Sequence, residues 1–276
     1  HAEPDRRAGG HPVQVEVHTD FLAPAFRRES LKNYLRYRLY RWAVRRADCL
    51  RTVSERVRRG LLTELGVPQE KIVVLPVFVD VAKLALLPPD GAFRERYAGR
   101  RPVILTVGRL TREKNVNLAI DAFAALIRRL PSATLLIVGD GPERESLEFK
   151  VKSLKLGDSV RFEGWQGDLA PYYKGADCLL VTSGYEGYGR MFVEAAAAGL
   201  PIVSTDVGLI GETFKNGESA IVFRTVAEGA AAIQRLAGDP ALAERLRAGA
   251  RAAIAGLPDF PAYLRRYREA LERCRG

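Results

Sequence analysis

From Pro102 onward the chain repeats one unit about every thirty residues: a short apolar run, a glycine-containing turn, and a segment with helical spacing. The runs are Val103–Val107, Ala133–Val138, Ser159–Phe162, Cys178–Val181, Pro201–Ser204 and Ala220–Phe223. Between two of them lies NVNLAIDAFAALIRRL, whose Leu118, Ala122, Leu126 and Leu130 recur at helical intervals. Short continuous apolar strands alternating with helices predict βαβ units, hence a parallel sheet covered on both faces. Such a sheet binds ligands at the carboxyl ends of its strands, and the glycine-rich turns here follow the strands.

The amino-terminal part uses the same pattern but stops short. VQVEVHT, ADCLRTV and KIVVLPVF read as strands, separated by helices over Ser30–Arg46 and Ser54–Leu65. Three strands and two helices make a poor free-standing sheet, because the first strand lacks neighbours. The fold class expected is therefore α/β, with two Rossmann-like domains and the amino-terminal one truncated. Residues 1–85 form the partial domain, 86–101 a linker and 102–257 a complete domain; the helix in 258–276 packs back on the amino-terminal part. The chain starts at His1 and its one methionine is Met191, so it reads as a fragment or a processed chain.

Composition narrows the classes further. With 47% hydrophobic and 28% charged residues the chain is neither disordered nor fibrous. No apolar stretch approaches the ~18 residues of a membrane span, and residues 1–12 lack the apolar core of a signal peptide. Cys49, Cys178 and Cys274 are widely separated and odd in number, which predicts neither a disulfide framework nor a metal cluster and suits a reducing cytoplasm.

The net charge of +10 is uneven: between Arg27 and Arg59, twelve Arg or Lys face three acids. That excess centres on a helix that also carries Tyr34, Tyr37, Tyr40 and Trp42. Three readings are open. Its basic side can face anionic lipid; it can be a solvated helix with Leu31, Leu35, Leu39 and Trp42 turned to the core; or it can bind nucleic acid.

Three strand-to-helix turns carry possible chemistry. Gly108-Arg109 with Lys114 follows VILTV, and two cations at a strand's carboxyl end suit a phosphate or diphosphate, against a bland solvated turn. Val138-Gly139-Asp140-Gly141-Pro142 invites a dinucleotide reading, but Arg144 breaks the third glycine of G-x-G-x-x-G. Ser183-Gly184-Tyr185-Glu186-Gly187-Tyr188-Gly189 leads into an alanine-rich helix bearing Glu194. Free backbone N–H groups and the helix dipole there favour an anion. The spacing alone equally allows a structural Arg190–Glu194 pair at i,i+4 and a capping role for Glu186.

In combination these elements resemble the carboxyl-terminal domain of glycosyltransferase family 4, retaining nucleotide-sugar transferases of the GT-B fold. That family carries G-R-x-x-x-x-K, V-G-x-G-P, an F-x-G strand end and an E-x7-E pair around a glycine-rich turn. This chain has them in order: Gly108-Arg109 with Lys114, VGDGPE, Phe162-Glu163-Gly164, and Glu186 with Glu194. The likeness is strong over about 102–223 and moderate over 13–80.

The resemblance implies roles. Arg109 and Lys114 neutralise the leaving diphosphate with backbone N–H groups around Gly189. Glu194 holds the ribose and Glu186 the donor sugar, with Gly187, Tyr188 and Gly189 shaping the sugar pocket. Gly108 and Gly139 line the donor side, and Trp165 stacks on the base or else packs in the core. His18, ending VQVEV, matches a histidine in the interdomain cleft.

No metal and no cofactor is implied beyond a UDP- or GDP-linked sugar as donor. The acceptor expected is a glycan or lipid-linked molecule in cell-envelope synthesis, met by a cytoplasmic enzyme, peripheral at the inner membrane face; a nucleic-acid partner is not expected. A glycine-rich acceptor loop common in the family has no counterpart in residues 1–12. A non-catalytic nucleotide-sugar binding fragment or scaffold and a Rossmann-type oxidoreductase are the alternatives from other classes.

Overall fold

The computed structural model describes residues 13–88 and 90–273. Two units emerge: one from the residues up to Phe78 together with those from Pro258, the other from Val79–Leu257. The expectations for residues 1–12 and for Cys274 fall outside the described residues.

The first unit runs β1 (Gln14–Val17), α1 (Pro24–Glu29), α2 (Leu31–Arg46), β2 (Cys49–Thr52), α3 (Glu55–Leu65) and β3 (Ile72–Val74). The three strands are parallel in the order β1-β2-β3. Serines start the two longer helices: Ser30 accepts from the Asn33 N–H and Ser54 from the Val57 N–H. Each such cap contributes about 1 kcal/mol. Val44, Leu50, Val57 and Leu61 are almost wholly buried and form part of this unit's core.

The second unit opens with α4 (Val81–Leu86) and α5 (Gly91–Arg96). The span expected as a linker thus carries a helix. Phe93 and Tyr97 are buried, and the Phe93 ring meets Tyr172 edge-on at 5.7 Å. Two aromatics inside an apparently polar connection supply about 1.5–3 kcal/mol each on burial, enough to pull it onto the domain.

Then follow β4 (Val103–Val107), α6 (Val116–Ile127), β5 (Thr134–Val138), α7 (Arg144–Ser153), β6 (Val160–Gly164), α8 (Ala170–Gly175), β7 (Cys178–Val181), α9 (Arg190–Ala198), β8 (Ile202–Ser204), β9 (Ile221–Val222), α10 (Val226–Gly238) and α11 (Pro240–Ile254). All six strands are parallel, in the order β6-β5-β4-β7-β8-β9. β4, β5, β7 and β8 are buried along nearly their whole length, which explains their continuous apolar runs. Ile120, Phe123 and Leu126 of α6 pack into the same core as Ile233 and Leu236 of α10.

The last helix, α12 (Phe260–Arg273), belongs to the first unit. Its Phe260 and Tyr263 rings lie 5.2 and 5.4 Å from Phe78, and its Tyr267 hydroxyl donates to Glu16 at 3.1 Å. The cysteine expectation needs correction: Cys49 is disulfide-bonded, and Cys178, fully buried in β7, is the free cysteine among the described residues.

Candidate functional site

Strand order locates the site. From β4 the chain moves outward through β5 and β6, then returns to β7 on the other side of β4 and continues outward through β8 and β9. Between the carboxyl ends of β4 and β7 the connections diverge, leaving a crevice. Thr106, Gly108, Arg109, Lys114, Thr182 and Ser183 line it. Two of the sequence-derived loops therefore meet here, although their key residues are 72 positions apart.

The β4 and β7 loops are sewn together. The Gly184 N–H donates to the Glu113 carbonyl at 2.7 Å, and the Thr182 hydroxyl to the Lys114 carbonyl at 3.1 Å. Across this seam Lys114 Nζ meets Glu186 Oε1 at 2.5 Å, and the Ser183 hydroxyl donates to the same oxygen at 2.8 Å. Their side chains are 23% and 12% exposed. Among the described residues both donors to this carboxylate use Oε1, which leaves the acceptor capacity of Oε2 for a ligand. The Arg109 side chain is exposed, and its guanidinium makes no hydrogen bond or ion pair among the described residues. An unpaired guanidinium beside a lysine in a strand-end crevice suits an anion with several oxygens.

Gly139 serves this loop from below. Its φ is +137°, and a Cβ there would stand 1.9 Å from the Gly108 carbonyl oxygen. The two turns stack backbone on backbone: the Gly108 N–H donates to the Val138 carbonyl and the Leu110 N–H to the Asp140 carbonyl. Close approach by itself requires glycine at 139.

Glu194 lies on α9, which follows the Glu186 loop. Gly189 precedes this helix at φ +85°, and a Cβ there would meet the Phe192 ring at 2.7 Å. Arg190 and Glu194 form the i,i+4 pair at 2.9 Å that their spacing allows. The Tyr173 hydroxyl donates to the other carboxylate oxygen at 2.8 Å. Burial, and then the Glu194 charge, push the Tyr173 phenol well above its ordinary value, which keeps it a donor. Tyr173 carries no sequence signal; it lies in α8 and reaches Glu194 only through helix packing.

Gly187 and Tyr188 are buried in the same loop, and the Tyr188 carbonyl accepts from the Leu209 N–H at 3.1 Å. Trp165 is 77% exposed just past β6, so core packing is excluded for it. At the end of β6, Glu163 accepts from Tyr97 at 2.6 Å and Tyr172 at 3.0 Å, which ties α5 and α8 to the strand. Burial and the Glu163 charge push the Tyr172 phenol up to about 12.

His18 lies in the first unit. It is half exposed and pairs with Glu16 at 2.8 Å. Glu16 also meets Arg51 at 2.9 Å, and the buried Arg51 guanidinium stacks on the Tyr267 ring and donates to the Tyr263 hydroxyl. Partial burial opposes ionisation of Glu16. Hydrogen bonds from His18 and Arg51, together with the Arg51 charge, outweigh it and hold the carboxyl below its ordinary value.

A doubly wound donor-type sheet with a basic switch-point crevice, accompanied by a second parallel sheet, is the architecture of the GT-B class. Residues 92–253 match the family described as Glycosyl transferases group 1, and residues 2–77 match a Glycosyl transferase 4-like domain. The chain belongs to the group 1 glycosyl transferase family.

It is 34% identical over 256 residues to 2-deoxystreptamine glucosyltransferase of Streptomyces kanamyceticus, covering 88% of this chain and 66% of that protein. It is 31% identical over 250 residues to glycogen synthase of Mycobacterium tuberculosis, covering 87% and 56%. The chain thus spans between 56% and 66% of the length of these relatives. In three dimensions it resembles Anabaena HepE in complex with UDP and glucose, with a TM-score of 0.82 at 23% identity, over 95% of this chain and 71% of that one. At that identity the likeness establishes the GT-B fold alone.

Proposed function

We propose that the chain supplies the donor-binding half, and part of the acceptor half, of a retaining glycosyltransferase that uses a nucleotide-diphosphate sugar. The observation that carries this reading is the Lys114–Glu186 pair in the crevice, with unpaired Arg109 beside it. A departing diphosphate needs positive charge placed in advance, and a sugar needs acceptors for its hydroxyls; the crevice offers both within one site.

In this reading Arg109 and Lys114 hold the diphosphate, while Glu186 accepts a sugar hydroxyl through Oε2. Glu194 and the backbone around Gly189 hold the ribose and phosphate side, and exposed Trp165 stacks on the base. The bond from the anomeric carbon to the diphosphate oxygen breaks and its electron pair leaves with the diphosphate. The acceptor hydroxyl attacks the anomeric carbon from the same face and passes its proton to the departing oxygen. The chain's own cations supply the charge, so the reading invokes neither metal nor cofactor.

UDP in the similar HepE complex favours a uridine donor over GDP. The acceptor in this reading is a glycan or lipid-linked molecule of cell-envelope synthesis, met by a peripheral enzyme on the cytoplasmic face. Among the described residues no helix is long and apolar enough to cross a membrane.

Isothermal titration with UDP, GDP and NADH tests the core of the proposal. UDP should bind, with an affinity unchanged by EDTA. Binding of NADH but not of either nucleoside diphosphate would replace the reading with an oxidoreductase.

A further inference from the structure

Helix α2 is turned the opposite way from a simple core helix. Asn33, Tyr37 and Val44 form its buried face. Leu31, Leu35, Leu39 and Trp42 are 75%, 59%, 59% and 55% exposed. At about 100° per residue those four occupy one outward sector about 80° wide, opposite the buried face. Arg38 and Arg45 border the sector on one side and Lys32 and Arg36 on the other, all exposed. The helix contains no acidic residue. Arg46 stacks over the Trp42 ring at 4.5 Å, adding a cation to the stripe itself.

We infer that the outward face of α2 is a docking surface for an anionic lipid bilayer. Solvent gives no reason for three leucines and a tryptophan to align on the face away from the core. The hydrocarbon boundary does: a helix lying in the interface buries its apolar stripe there, while flanking Arg and Lys extend to lipid phosphates. Charge complementarity selects the partner. A protein would need an acidic rim on both sides of an apolar groove. Nucleic acid has phosphates for the arginines but no place for the leucines. An anionic bilayer presents an apolar layer beneath a sheet of negative charge, which matches both features at once. The inference deepens the membrane-side acceptor proposed above, but it needs no donor chemistry.

The test uses the full chain with vesicles of phosphatidylcholine alone and of phosphatidylcholine mixed with phosphatidylglycerol. Two variants probe the two features: Leu35→Ser/Leu39→Ser/Trp42→Ser for the stripe and Arg36→Glu/Arg38→Glu/Arg45→Glu for its rim. All six side chains are exposed, so both variants should keep the wild-type circular dichroism and unfolding midpoint.

Wild type should co-sediment at least about tenfold better with the anionic vesicles, less so as salt rises. Both variants should fall to the level seen with neutral vesicles, and UDP titration on the same samples should be unchanged. Equal sedimentation of wild type with both vesicle types would overturn the inference. So would a stripe variant that binds as well as wild type, since charge alone would then suffice. A dimer in the ultracentrifuge that dissociates in the stripe variant, without vesicle binding, would assign the face to a second copy instead. Failure of UDP binding with vesicle binding intact would reject the donor reading and leave this one standing.

Discussion

Replacing Lys114 by Met separates its two tasks. In the protein alone, the ammonium offsets the charge of Glu186, whose side chain is 12% exposed and whose other donor is the Ser183 hydroxyl at 2.8 Å. Exposed pairs contribute up to about 1 kcal/mol and breaking a fully buried one costs about 3–5; this half-sheltered pair lies between, so Lys114→Met should destabilise by about 1–3 kcal/mol. In the complex the same ammonium meets a diphosphate. Losing a charge-assisted hydrogen bond should weaken UDP by about 1.5–3 kcal/mol, or about 10- to 150-fold in Kd. Adding Glu186→Gln removes the stranded carboxylate. The double variant should therefore regain about 1 kcal/mol or more of stability while UDP affinity stays low. Urea unfolding reads the first effect, and isothermal titration with UDP and uridine reads the second. If uridine weakens as much as UDP, or if the double variant binds UDP like wild type, Lys114 is not a diphosphate ligand. Arg109→Ala provides the contrast: exposed and unpaired, it should cost UDP affinity in the same range with stability changed by less than about 0.5 kcal/mol.

Four further outcomes follow from the geometry. Tyr173→Phe removes the buried donor to Glu194 and should destabilise by about 1–3 kcal/mol in urea unfolding; Glu194→Gln should also weaken UDP, and unchanged UDP affinity with reduced stability would make Glu194 purely structural. Gly139→Ala places a methyl 1.9 Å from the Gly108 carbonyl oxygen at φ +137° and should cost about 2–4 kcal/mol, so a loss below about 1 kcal/mol would refute the backbone stacking. Glu16 has a folded-state pKa below its ordinary value; its stabilising contribution is complete above the ordinary carboxylate range and is lost as the pH falls through the lowered value. Glu16→Gln should accordingly flatten the acid limb of a Tm-against-pH profile, and an acid limb identical to wild type would show that the Arg51 cluster does not depend on that charge.

Much of the fold and part of the site are legible in the residue order alone. Strand and helix periods are local properties, so continuous apolar runs such as Val103–Val107 and capping serines such as Ser30 and Ser54 announce their elements without tertiary information. The turn chemistry after each strand is equally local, which is why the Arg109–Lys114 segment and the Glu186 loop stand out as candidates. Which loops meet is decided by strand order, and strand order has no signature within any single segment. Lys114 reaches Glu186 because β7 lies beside β4, and Tyr173 reaches Glu194 because α8 packs beside α9. Gly139 reads as a ligand turn in the sequence, and only the fold adds the Gly108 carbonyl against it as a second demand for glycine. The short helix inside the span expected as a linker has a related origin: Phe93 and Tyr97 are too few to set a period, yet they suffice to anchor it once α8 is there to receive them. Helix α2 is the sharpest case, since its sequence offers two apolar faces, Tyr37 with Val44 and Leu31 with Leu35, Leu39 and Trp42. A helical period accommodates either one inward, and only tertiary packing, with the Phe21 ring 6.4 Å from Tyr37 and Val44 buried, chose the first and left the leucines outside.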